Sequence, residues 1–168
     1  MTNIFETVNA NASDIPVIRS IACAVWPAVY KDLLSDEQIS YMMDMMYADQ
    51  VIEKELANGV EWYLLKYENK TVGYCSIYFI DKVCKLDKIY ISEEFRRCGI
   101  GRQTIEFVQK TATLRGAENL ILNVNKYNTK AQAAYKKYGF KHLRDEVNDI
   151  GNGFVMDDFV LALEISHP

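Results

Sequence analysis

The residues with the clearest chemical use lie between Leu86 and Arg102, in the run L-D-K-I-Y-I-S-E-E-F-R-R-C-G-I-G-R. An apolar stretch ending in Ile89, Tyr90 and Ile91 passes through an acidic link to Arg96, Arg97 and Cys98. Gly99, Ile100, Gly101 and Arg102 follow. Beyond them Ile105, Val108 and Ala112 recur at the three- and four-residue spacing of a helix face. A strand therefore feeds a glycine turn that opens a helix. Helix starts present unpaired N–H groups and the positive end of the helix dipole, glycines let a ligand approach the backbone, and arginines add charge. The indicated chemistry is the binding of a phosphate. A Walker A loop is excluded, because Gly101 is followed by Arg102 and Gln103. A dinucleotide fingerprint is excluded too, because Thr104 stands where a third glycine or alanine is needed. What remains is R-x-x-G-x-G at Arg96, Gly99 and Gly101, a pattern that an ordinary strand-to-helix turn also satisfies.

The elements that must position this loop follow from periodicity. Residues 3–9 read as a short strand, after which Ser13 or Asp14 caps a helix with Pro16 in its first turn. Ile15, Ile18, Ala22 and Val25 trace its apolar face, and Trp26-Pro27 should interrupt or kink it. Ser35 and Gln38 form a capping box for a second helix carrying Ile39, Met42, Met43 and Met46, methionines best read as core filler. Asp49 to Ala57 forms a third helix, stopped near Asn58-Gly59. Strands are then expected over 60–67 and 71–80, joined by a turn, with Asp81-Lys82 turning into the strand of the first paragraph. In that strand Cys84 and Leu86 share one face, and Ile89 and Ile91 the other. A one-residue bulge near Asp87-Lys88 would bring all four to the core side. A helix over 99–115, a central strand over 118–123, a helix opened by Asn128, a strand over 140–147, a loop at 148–153 and a last strand over 154–164 complete the chain.

At 168 residues the chain has the length of one domain and enough sequence for a real core. Its net charge of −4, without a basic stripe, argues against a nucleic-acid partner. Cys23, Cys75, Cys84 and Cys98 form no C-x-x-C pair, and with two histidines in the whole chain no metal-ligand set is apparent. The first residues lack a basic region followed by an apolar run, and no apolar segment approaches membrane-spanning length, so a cytoplasmic protein without a membrane partner is expected.

A second signature is decisive. Asn128, Ala131, Tyr135 and Gly139-Phe140 spell N-x-x-A-x-x-x-Y-x-x-x-G-F about thirty residues after R-x-x-G-x-G. Together the two motifs resemble the acyl-CoA site of the GNAT superfamily of N-acetyltransferases, over roughly residues 60–160. The resemblance implies a single mixed α/β domain over 1–168, with a central, mostly antiparallel twisted sheet flanked by helices. It implies an enzyme that uses acetyl-CoA as acyl donor and no metal. Carried over residue by residue, backbone groups of Ile89, Tyr90 and Ile91 should pair with the pantetheine arm. Those of Arg97, Cys98, Gly99, Ile100, Gly101 and Arg102, beside Arg96, should hold the pyrophosphate. Asn128 should bond the pantetheine arm, Tyr135 should face the thioester sulfur, and Lys137 should lie near the nucleotide phosphates. The plainer alternatives are a helix cap for Asn128 and a core position for Tyr135.

The chemistry explains these residue types. An amine attacks the thioester carbonyl, and a backbone N–H at a bulged strand is a fixed donor for the oxygen that gains charge. The departing thiolate needs a proton; with a tyrosine pKa near ~10 and a thiol near ~8.5, Tyr135 suits the role of general acid. Many GNAT relatives carry a glutamate just before the leucine of the cofactor strand, where this chain has Lys85. Asp87, Glu37, Tyr30 and water are all open as bases. The segment L-L-S-D-E-Q-I-S-Y-M resembles a bacterial subgroup with polyamine-acetylating members, and Trp26, Tyr30 and Tyr41 are expected to shape an aromatic acceptor site. The leading expectation is acetyl transfer to a small primary amine. A protein N-terminal or lysine acetyltransferase is the alternative, and a non-catalytic acyl-CoA sensor stands in another class. A homodimer is open, since Phe159 to Leu163 suits either a core or an interface.

Overall fold

A computed structural model gives the fold and describes residues 4–167. Seven strands form one sheet: β1 (Phe5–Asn9), β2 (Glu61–Tyr67), β3 (Lys70–Ile80), β4 (Val83–Ile91), β5 (Asn119–Asn125), β6 (Lys141–Gly151) and β7 (Phe154–Glu164). Their order across the sheet is β1-β2-β3-β4-β5-β7-β6, and only the β4–β5 contact is parallel. The helices are α1 (Ile15–Tyr30), α2 (Asp36–Tyr47), α3 (Asp49–Ala57), α4 (Ile100–Leu114) and α5 (Thr129–Lys137). A parallel pair needs a crossover connection, and α4 supplies it. This is the mixed, mostly antiparallel sheet expected from the sequence.

Each face of the sheet carries its own core. On one face α4 lays Ile100, Ile105, Val108 and Ala112 against Leu86, Leu120, Leu122 and Leu161, with Ala131 and Tyr135 of α5 and Tyr138 just after it at the margin. On the other, α1 to α3 pack Ile18, Ala22, Trp26, Met42 and Ile52 against Trp62, Leu64 and Tyr74. The run from Phe159 to Leu163 belongs to this sheet: Val160 and Leu161 are buried, and Phe159 and Leu163 pack on the first core.

Several expectations are corrected. The first strand begins at Phe5, and residue 3 of the expected span lies outside the described residues. Neither Ser13 nor Asp14 caps α1 through its side chain. Instead Asn11 closes a capping box over the short turn Ala12–Asp14, and α1 follows directly. Pro27 does not interrupt α1, which runs on to Tyr30. The physical reason is placement: Cys23 and Pro27 both lie on the exposed side, so the carbonyl deprived of its donor can bond water. As a result Ala12–Tyr30 is a 19-residue stretch of mean hydropathy 1.2, long and apolar enough by composition to span a bilayer, contrary to the sequence reading. Here its apolar face packs on the sheet. Ser35 caps α2 by accepting from the Gln38 N–H, but the box is only half formed, because the Gln38 amide reaches across to the Val155 carbonyl at 2.8 Å. The loop expected at 148–153 is mostly strand. The β6–β7 hairpin turns on two residues, Asn152 and Gly153, both at positive φ (55° and 78°), as a type I′ turn requires.

Candidate active site

The site begins with one surplus residue in β4. Ser76 of β3 pairs with Lys88, but its neighbour Ile77 pairs with Leu86, so Asp87 is bulged out of the ladder. The bulge has the expected effect: Cys84, Leu86, Ile89 and Ile91 all lie on the α4 face. Lys88 and Tyr90 turn to the opposite one. It also parts two strands. Parallel pairing of β4 with β5 ends at Leu86–Leu122, while β5 continues beside β7 as far as Asn125–Asp158. Beyond the bulge the β5-facing edge of β4, at Lys88, Ile89, Tyr90 and Ile91, has no strand partner among the described residues. Extra twist is what a bulge imposes, and here it opens a slot through the sheet.

A buried cation pins the bulge. Lys88, 6 % exposed, places its ammonium against the Asp87 and Glu55 carboxylates and 5.0 Å over the Trp62 ring. Such a charge is tolerable only because it is paired. On β3 a Cβ at Gly73 would lie 2.4 Å from the Tyr90 carbonyl oxygen, so glycine is required there for the two strands to approach.

At one end of the slot lies the loop singled out from the sequence. Arg97 (φ 65°) and Gly99 (φ 79°) are both left-handed, and no side chain caps α4, whose first N–H groups are open to a ligand. Arg96, Arg97, Cys98 and Gly99 are exposed, whereas Ile100 is buried and can serve a ligand only through its backbone. The Arg96 Nε bends back toward the Ile91 carbonyl at 3.4 Å. Arg102, paired with Glu106 at 2.9 Å, and Lys137 flank a groove of about 340 Å³ that runs along α4 from the end of this loop. Donors, dipole and cations converge as an anion such as a pyrophosphate requires, and the parted strand edge leads away from them.

On the other wall stands α5. Asn128 caps it through Oδ1, which accepts from the Ala131 N–H at 3.2 Å; its Nδ2 donors are not engaged among the described residues. Both readings of Asn128 are therefore compatible. Tyr135 packs edge-on to Phe140 at 5.8 Å, and no described residue hydrogen-bonds its hydroxyl. Burial pushes this phenol well above its ordinary pKa, so it stays protonated.

Through the slot, on the α1–α3 face, lies a polar cluster that the sequence reading did not single out. Asn123 of β5 is its hub. Its Oδ1 accepts from the Lys85 ammonium, and its Nδ2 donates to Glu146 Oε2 at 2.6 Å and to Asp158 Oδ2 at 3.3 Å. Burial pulls the Lys85 ammonium below its ordinary pKa and pushes the Asp158 carboxyl above its own. Of the three aromatics expected to line this side, only Tyr30 approaches the slot, bonding Tyr90 hydroxyl to hydroxyl at 2.8 Å. Trp26 is 2 % exposed and lies behind Tyr30 and Tyr90, donating to the Tyr47 hydroxyl, so it backs the wall instead of lining it. Tyr41 fastens the β6–β7 hairpin, donating to the Ile150 carbonyl at 2.6 Å. A partial signal was available: Asp158 is a charged residue on the β7 face that otherwise carries Phe154, Met156, Val160 and Ala162, whereas Asn123 is one of three asparagines in β5 and does not stand out.

The model of the Acetyltransferase (GNAT) family matches residues 26–140, more than half of the chain. The chain belongs to the GNAT family. Among its relatives is the peptidyl-lysine N-acetyltransferase YjaB of Escherichia coli, 39% identical over 124 residues, which are 73% of this chain and 74% of that protein. The PaiA N-acetyltransferase of Thermoplasma acidophilum, solved with coenzyme A, superposes with a TM-score of 0.80 at 19% identity, covering 96% of this chain and 99% of that one. A GCN5-related N-acetyltransferase from Rhodopseudomonas palustris gives a TM-score of 0.82 at 18% identity, with 98% of both chains covered. At such identities the structures establish the fold. This GNAT chain is an acetyl-CoA-dependent N-acetyltransferase. Among the described residues no cluster of His, Cys, Asp and Glu is arranged to hold a metal ion.

Proposed function

We propose that this enzyme acetylates the ε-amino group of lysine in a peptide or protein, with Tyr135 as general acid. One observation carries the acceptor class: the relationship to a peptidyl-lysine acetyltransferase over nearly three quarters of both chains. In this reading the β4 edge at Ile89–Ile91 and the Asn128 amide hold the pantetheine arm. Backbone N–H groups of Arg97–Arg102 hold the pyrophosphate, with Arg96 and Lys137 adding charge. Bound acetyl-CoA supplies an activated acyl carbon and a thiolate leaving group. A backbone N–H freed at the bulge stabilises the carbonyl oxygen as it gains charge, and donors of this kind typically contribute ~3–4 kcal/mol. Tyr135 gives its proton to the departing sulfur.

A specific observation also favours the small amine expected from the sequence. The β6–β7 hairpin is tied to α2 through Tyr41–Ile150 and Gln38–Val155, which walls the acceptor side against an extended chain. The test is competition. Lysine-containing peptides and free polyamines are offered with acetyl-CoA, and products are identified by mass spectrometry. Acetyl-lysine peptide at a kcat/KM at least tenfold above that for any polyamine supports the lysine reading. The reverse order supports the small-amine reading.

A further inference from the structure

We infer that Asp158 is the base that takes the proton from the attacking amine. This deepens the acetyltransferase reading above and rests on it. The inference starts from the carboxylates around the slot, most of which are committed elsewhere. Asp87 is paired with the buried Lys88. Glu146 accepts from Asn123 at 2.6 Å, Asn148 at 3.1 Å and Arg144 at 3.3 Å, and these donors hold its carboxyl below the usual range. Glu37 lies exposed in the first turn of α2. Lys85 is the nearest amine on β4, and its ammonium is already bonded to Asn123.

Asp158 differs on each count. It is 3 % exposed, and its one hydrogen bond from a described side chain is the long 3.3 Å contact from Asn123. It pairs across the sheet with Asn125, in the part of β5 that β4 has left, and so stands where the slot opens. Its side chain shares the sheet face of Asn123 and Val160, on the α1–α3 side. The charged and titratable groups around it are Tyr30 from α1, Lys85 from β4 and Glu146 from β6, with Asp157 next to it in β7 but turned to the other face and paired with Lys126. Burial raises the Asp158 carboxyl, which moves a carboxylate toward the pH at which an enzyme base works best.

The step balances. The amine nitrogen bonds to the thioester carbon as the carbon–sulfur bond breaks. The nitrogen's proton passes to Asp158, and the sulfur takes one from Tyr135. Exchange with solvent then resets both side chains.

The test is the kcat–pH profile of wild type and D158N, read as coenzyme A thiol released. Rates are compared on whichever amine the wild-type enzyme turns over. An error in the acceptor class therefore changes the substrate in the assay and leaves the ratio between variant and wild type intact. D158N is expected to lose roughly a hundredfold or more in kcat, the usual scale for a general base, with acetyl-CoA affinity by calorimetry within about twofold. Wild type should show an acid limb above the ordinary aspartate pKa of ~3.9, and D158N should lack it. A variant that keeps kcat within about threefold, or that keeps the acid limb, overturns the assignment. The wild-type profile is a test that needs no variant: constant kcat from pH ~4 to ~8 would by itself remove Asp158 as the base.

Discussion

Replacing Tyr135 by phenylalanine isolates the proposed acid. The ring keeps its edge contact with Phe140 and its place beside the α4-side core, so packing is preserved. The hydroxyl has no hydrogen-bond partner among the described residues, and its removal strands no buried group. Stability should therefore change by less than ~1 kcal/mol. Turnover should not be spared. Proton donation by a positioned side chain contributes roughly 10²- to 10⁴-fold, which is ~2.7–5.4 kcal/mol at 1.36 kcal/mol per tenfold. The assay is coenzyme A thiol release at saturating acceptor, with acetyl-CoA affinity measured alongside by calorimetry. Because burial raises the phenol, wild type should hold its kcat through pH ~9 without an alkaline limb from this group. Y135F with kcat within about threefold of wild type would refute the general-acid role, whatever its effect on binding.

Three further outcomes follow from the site. Gly99→Val places a β-branched residue at φ 79° and crowds the uncapped α4 start, so acetyl-CoA binding should weaken by a hundredfold or more in a calorimetric titration, at ~1.4 kcal/mol per tenfold. Gly73→Ala drives a Cβ into the Tyr90 carbonyl and should cost ~1–3 kcal/mol, read as a fall in denaturation midpoint with an unchanged m-value, together with weaker acetyl-CoA binding at the displaced β4 edge. Asp158 has its folded pKa raised, so its charge opposes folding. The penalty is absent below the unfolded value near ~3.9 and is complete once pH has risen through the folded value. D158N should accordingly melt no lower than wild type at pH 8, and any advantage should shrink toward pH 3; a clear fall in melting temperature at pH 8 would contradict the sign.

Local patterns in the sequence were enough for most of the fold. The boundaries of α3 and β7, the bulge in β4 and the glycine-opened α4 all follow from periodicity and turn chemistry acting within a dozen residues. Failures came where distant contacts decide. Gln38 abandons its own cap for the Val155 carbonyl, more than a hundred residues away, and the span read as a loop after Val147 is strand because β7 supplies a partner. Pro27 is tolerated because it happens to fall on the solvent side of α1. The site divides in the same way. The glycine loop before α4 and the α5 motif are contiguous in sequence, and their local structure is legible there. The cluster of Lys85, Asn123, Glu146 and Asp158 is assembled from four strands, and its clearest local trace is Asp158 on a mainly apolar face of β7.

The central claim is that acetyl-CoA occupies the slot where β4 leaves β5. Amide hydrogen exchange with and without acetyl-CoA tests it most directly, because the slot's edge at Lys88–Ile91 and the α4 start at Arg97–Arg102 are separate segments with open N–H groups. Protection of both segments on binding, with the outer sheet edges at β1 and β6 unchanged, is the predicted result. Saturable binding that leaves 88–91 exchanging as before, or that protects the β6 edge instead, would contradict the account.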